Sequence, residues 1–143
     1  MNSAALAPTF PAMERLDLSE TEWRARLSPE QYHVLREAGT ERAFAGDLNF
    51  NHATGHYDCA GCGNPLFEST RKFDSGSGWP SFTAPISPDV VTEHVDTAHG
   101  MRRVEIRCSK CDGHLGHVFD DGPRDDTGLR YCMNSVALSF KGD

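Results

Sequence analysis

The chain has 143 residues, enough for one domain with a real core. Its 14 Lys and Arg against 21 Asp and Glu give a formal net charge of −7. That balance argues against a phosphate-backbone partner, because nucleic-acid binders display basic surfaces, and no uncharged stretch approaches the roughly 18 apolar residues a membrane-spanning helix needs.

Residues 1–18 mix Ala, Pro, Ser and Asn with little periodicity. They read as a flexible lead ahead of one domain spanning 19–143. The first dozen residues contain no Lys or Arg, so they do not read as a signal peptide. Two helices are expected next. Ser19 with Glu22, and Ser28 with Gln31, each have the spacing of a reciprocal capping box, and Pro29 sits where a helix tolerates a missing N–H. Tyr32 and Leu35 share a helical face, and Gly39 supplies a stop. From about Phe44 onward, Gly, Pro, Asn and Asp break the chain into short alternating segments, so the body reads as mainly β. Val104, Ile106 and Cys108 alternate with Arg103, Glu105 and Arg107 as in a half-buried strand. Val136, Leu138 and Phe140 do the same near the C-terminus.

Five cysteines fall as Cys59-x-x-Cys62, Cys108-x-x-Cys111 and a single Cys132. Four thiolates make a closed tetrahedral zinc shell, and Gly61, Gly63 and Gly113 favour the tight turns of paired knuckles. Two separate redox dithiols are the alternative reading, but such motifs usually open a helix in a β-α-β unit. The 45 residues between Cys62 and Cys108 mean that a shared metal would tie distant parts of the fold together. Paired Cys-x-x-Cys motifs beside an odd cysteine suit a reducing compartment, so the expected location is the cytoplasm.

On an extended segment Cys132, Asn134 and Val136 share a face, with the cation Arg130 nearby to favour a thiolate. On spacing alone, a buried small hydrophobe fits Cys132 better than a nucleophile does. His114 and His117 flank the flexible Gly116, and histidine is suited to proton transfer near neutral pH. Trp79, between Phe73 and Phe82 in a Gly-rich loop, could wall a site for a sulfur-methyl group or simply plug the core.

Together these segments resemble the B-type methionine sulfoxide reductases, which act on the R epimer. The resemblance runs through residues 39–44, 59–67, 73–82, 99–101, 105–111, 114–121 and 130–138. It implies a β-tent-like pair of antiparallel sheets with short N-terminal helices, and one structural Zn2+ on Cys59, Cys62, Cys108 and Cys111. It also implies Cys132 as nucleophile, assisted by His114, His117 and Asn134. Trp79 would receive the sulfoxide methyl, with Phe82, Phe119 and Arg130 as further substrate-binding residues. The implied substrate is oxidised methionine in proteins or peptides, handled by a monomer with neither nucleic acid nor membrane as partner. One position departs from the pattern: Ser77 stands where many members carry a recycling cysteine. Thioredoxin, glutaredoxin or glutathione would then have to recycle Cys132 directly. A zinc-stabilised binding module on the same scaffold is the rival reading, and it has no need of Cys132, His117 and Asn134 together.

Overall fold

Both N-terminal helices begin at their sequence-encoded caps in the computed structural model, which describes residues 15–143. Residues 1–14, most of the expected lead, lie outside the described residues. Helix α1 (Glu20–Arg26) starts at Ser19 and α2 (Pro29–Glu37) at Ser28, each with a complete capping box. Trp23 of α1 and Tyr32, Val34 and Leu35 of α2 are buried. The stop of α2 differs from expectation: Ala38, not Gly39, takes the left-handed conformation, at φ 56°. At Gly39 a Cβ would lie 2.3 Å from the exposed His33 ring, which would have to swing aside.

The remaining chain forms two antiparallel sheets, as expected. The smaller is ordered β2-β1-β9, from β1 (Gly55–Cys59), β2 (Pro65–Glu68) and β9 (Leu138–Gly142). The larger is ordered β3-β4-β8-β7-β6-β5, from β3 (Lys72–Phe73), β4 (Ser81–Phe82), β5 (Val91–Asp96), β6 (Arg103–Cys108), β7 (His114–Phe119) and β8 (Arg130–Met133). Tyr57, Phe67, Phe82, Ile106, Leu115 and Met133 are fully buried in the common core, and Phe67 stacks on Phe82 with ring centroids 4.3 Å apart.

Two strand expectations change in detail. Val136 does not continue an extended run, because residues Ser135–Ala137 make one 3-10 turn before β9 begins at Leu138. On β6 the polar face does not simply meet water: Glu105 is buried. Its carboxylate pairs there with the buried His114 ring.

Candidate active site

Antiparallel pairing of β7 with β8 sets His117 directly opposite Cys132, and Cys132 in turn faces Ser81 on β4. A cavity of about 230 Å3 opens here, lined by Cys132, His117, Asn134, Trp79, Phe119 and Arg130, with Thr40, Ser77 and Gly116 completing it.

A bulge determines which way the imidazoles point. Strict alternation would send His114 and His117 to opposite faces of β7. Against β6, however, Ile106 pairs with Gly116 and Arg107 with His114, so Leu115 is an extra residue and the two histidines return to one face. Their ring centroids lie 5.4 Å apart. Each ring then meets a carboxylate. His114 Nδ1 lies 2.7 Å from Glu105 Oε2, and His117 Nε2 lies 2.8 Å from Asp96 Oδ2. Burial pushes the His114 imidazole pKa down against the pull of Glu105. Burial likewise pushes Glu105 up, but hydrogen bonds from Arg107 and His114 outweigh it and hold that carboxyl below the usual range.

A loop after α2 clamps the opposite wall. The Glu41 backbone N–H donates to Asn134 Oδ1 at 2.9 Å, and the Glu41 carbonyl accepts from Trp79 Nε1 at 3.0 Å. The Glu41 carboxylate accepts from the Val136 N–H at 3.0 Å, anchoring the loop to the 3-10 turn that follows Asn134. Asn134 Nδ2 donates to the Leu115 carbonyl at 3.0 Å. Its oxygen and one of its two N–H bonds are thereby committed, which leaves the second N–H uncommitted among the described residues.

Around the sulfur, Ser77 Oγ lies 4.0 Å from Cys132 Sγ and 2.8 Å from Ser75 Oγ, which in turn sits 2.7 Å from the buried Ser81 Oγ. Burial pushes the Cys132 thiol up, while Ser77 and the Arg130 charge pull it back only in part. Arg130 shares that charge with Asp121, at 2.8 and 3.1 Å, and stacks over the Phe119 ring at 4.5 Å.

The other four cysteines converge elsewhere. Cys59 and Cys111 Sγ are 3.7 Å apart, Cys62 and Cys108 Sγ are 3.6 Å apart, and all four atoms lie within 4.8 Å of one another. A tetrahedral ion with metal–sulfur bonds of ~2.3 Å requires edges of about 3.8 Å, so the cluster fits a closed four-thiolate shell. Two similar turns build it. The Gly63 N–H donates to the Cys59 carbonyl and the Asp112 N–H to the Cys108 carbonyl, both at 2.8 Å, and Gly63 and Asp112 take positive φ.

A SelR domain matches residues 27–142. The chain belongs to the SelR family. A relative from Chromohalobacter salexigens is 58% identical over 127 residues, covering 89% of this chain and 96% of its own. A second, from Thiobacillus denitrificans, is 60% identical over 122 residues, with 85% and 92% covered, and a third, from Bradyrhizobium diazoefficiens, is 56% identical over 135 residues, with 94% and 96% covered. All three are named peptide methionine sulfoxide reductase MsrB.

Within this SelR fold, Cys132, His117, Asn134, Trp79, Phe119 and Arg130 share one cavity. His114 stands behind them, buried, its ring against that of His117. Phe82 is not at the cavity: it is fully buried between Tyr57 and Phe67, so it supports the Trp79 loop from the core side. The family resemblance spans Thr40, Glu41, Glu105 and Asp121 without giving any of them a role, and Asp96 lies outside it. Among the described residues, no helix is long and apolar enough to cross a membrane.

Proposed function

We propose that this chain reduces the R epimer of methionine sulfoxide in proteins and peptides, with Cys132 as nucleophile and an external thiol as reductant. The observation that supports this most is the pairing of Cys132 with His117 across β7 and β8, inside one cavity that also holds Trp79 and Asn134. At about 230 Å3 the cavity is smaller than the ~300–1,000 Å3 usual for whole small-molecule ligands. It suits one side chain entering from a polypeptide.

In the proposed cycle the methyl group of the sulfoxide lies against Trp79, and the Cys132 thiolate attacks the sulfoxide sulfur. The oxygen takes a proton from His117, and the second N–H of Asn134 steadies the developing charge. His117 suits the acid role better than His114, because His114 does not line the cavity and its remaining nitrogen is buried without a partner. The oxygen passes from the sulfoxide sulfur to the Cys132 sulfur as the bond between the two sulfurs breaks toward methionine, which leaves reduced by two electrons, and Cys132 is left as a sulfenic acid. A reductant thiol then displaces water to form a mixed disulfide, and a second thiol releases Cys132. Ser77 has no sulfur with which to intervene. Thioredoxin, glutaredoxin or glutathione would supply the thiols, and a cytoplasmic monomer spanning 19–143 accords with this chemistry.

We assign one structural Zn2+ to Cys59, Cys62, Cys108 and Cys111. Bound there, the ion would cross-link the turns after β1 and β6 and take no part in the reaction, because a four-thiolate shell leaves no open position.

Steady-state turnover on the separate epimers tests the reading. The R epimer alone should react, and Cys132→Ser should abolish turnover while the bound zinc stays unchanged. Activity surviving in that variant would remove Cys132 from the mechanism.

A further inference from the structure

We propose that Asp96 is a positioning residue for His117, fixing which ring nitrogen carries a hydrogen and which one serves the Cys132 cavity. The inference rests on His117 acting as the proton donor described above. Asp96 closes β5, at the far edge of the order β8-β7-β6-β5, and reaches His117 over the intervening strand β6. It lies 21 positions from His117 in sequence and lines no part of the cavity.

Three donors hold its carboxylate. Oδ1 accepts from the Ala98 N–H at 3.0 Å, while Oδ2 lies 2.8 Å from His117 Nε2 and 3.3 Å from Arg103 Nη2. The Ala98 N–H and the His117 ring hold the Asp96 carboxyl down to about 2, so the group stays ionised wherever the enzyme works. An ionised carboxylate only accepts hydrogen bonds. The nitrogen facing it must therefore carry the hydrogen, which makes Nε2–H the neutral tautomer of His117.

The consequence falls on Nδ1, which makes no hydrogen bond within the described residues. When the ring is cationic, Nδ1–H is the one proton it can release without breaking the contact with Asp96. Releasing it leaves the Nε2–H form that Asp96 already holds. Proton transfer then needs no ring flip, and the imidazole stays fixed between donating its proton and regaining one. The neighbouring pair is wired the other way: Glu105 takes Nδ1 of His114. Although the two rings share one sheet face, their carboxylates select opposite nitrogens.

The experiment uses the full zinc-loaded chain labelled with 15N, whose two-bond proton–nitrogen spectrum identifies each neutral tautomer directly. In the unaltered protein, neutral His117 should be the Nε2–H form. The substitution Asp96→Asn replaces one acceptor oxygen by an amide donor, which then opposes the Ala98 N–H, Arg103 or His117, so the tautomer should become mixed or reversed. Turnover of the R epimer should fall about 10- to 100-fold in kcat with KM within about twofold. Asp96→Glu should recover part of that loss. In a His117→Gln background, adding Asp96→Asn should cost nothing further.

An Nδ1–H tautomer in the unaltered protein would overturn the proposal, as would an Asp96→Asn loss of equal size in the His117→Gln background. If His117→Gln alone leaves kcat unchanged, the acid role of His117 fails. The tautomer spectrum still decides separately whether Asp96 orients the ring.

Discussion

Cys132 rests half-buried beneath the Ser77 hydroxyl, and its environment raises the thiol pKa rather than lowering it. A cation near a thiol favours the thiolate, but here Asp121 holds the Arg130 guanidinium in a two-point contact and burial prevails. A raised pKa means that the thiolate appears later as pH rises. Alkylation of Cys132 by iodoacetamide in the free protein should therefore still be climbing at about pH 8.5, and a plateau below neutrality would contradict this account. Ser77 offers a second test at the same atom. With Ser77 Oγ already 4.0 Å from Cys132 Sγ, Ser77→Cys should form an intramolecular disulfide after one turnover, detected as the loss of two titratable thiols. Glu41 is the third residue of consequence. Glu41→Ala leaves the Val136 N–H without its acceptor and frees the loop that holds Asn134 and Trp79. Urea unfolding should show a loss of about 1–3 kcal/mol, and KM for the sulfoxide should rise.

At the level of the element, β7 is decisive. Its bulge at Leu115 turns both imidazoles to one side, and Gly116 allows the close approach to β8. A Cβ on Gly116 would lie 2.0 Å from the Cys132 carbonyl oxygen and 2.9 Å from Met133 Cα, both backbone atoms that cannot step aside. Gly116→Ala is expected to cost about 3 kcal/mol or more and to remove activity; near-normal stability in urea would show that the β7–β8 register is wrong. This strand also marks where the sequence is legible and where it is not. The helix starts were readable because a capping box is complete within four residues, and the four-cysteine cluster because each knuckle is local. The bulge has no comparable signature, so the shared face of His114 and His117 was reachable only as a suggestion from the flexibility of Gly116. Asp96, Glu105 and Glu41 escaped for a different reason. Their contacts join residues 21, 9 and 93 positions apart, and no local spacing reports such a pairing. Phe82 shows the opposite error: an aromatic beside Trp79 in sequence points into the core because β4 alternates.

Across the whole molecule, the cysteine cluster links the two sheets. Cys59 ends β1 in the small sheet, and Cys108 ends β6 in the large one. Helix α2 joins the same corner, since Arg36 donates to the Cys111 carbonyl at 2.8 Å and stacks over Trp23 at 4.5 Å. Stripping zinc from the zinc-loaded chain with a chelator should lower the thermal midpoint by roughly 10 °C or more and loosen the sheets around Cys132. A midpoint unmoved after complete removal would mean that the cluster is not a structural cross-link. The cavity, by contrast, is built entirely from the large sheet and the two loops packed on it. Its chemistry is most directly exposed by one turnover without reductant. Mixing the zinc-loaded protein with excess R sulfoxide should release one methionine per chain and leave Cys132 heavier by about 16 Da, as a sulfenic acid. Absence of methionine, or oxygen found on no cysteine or on a residue other than Cys132, would contradict the account.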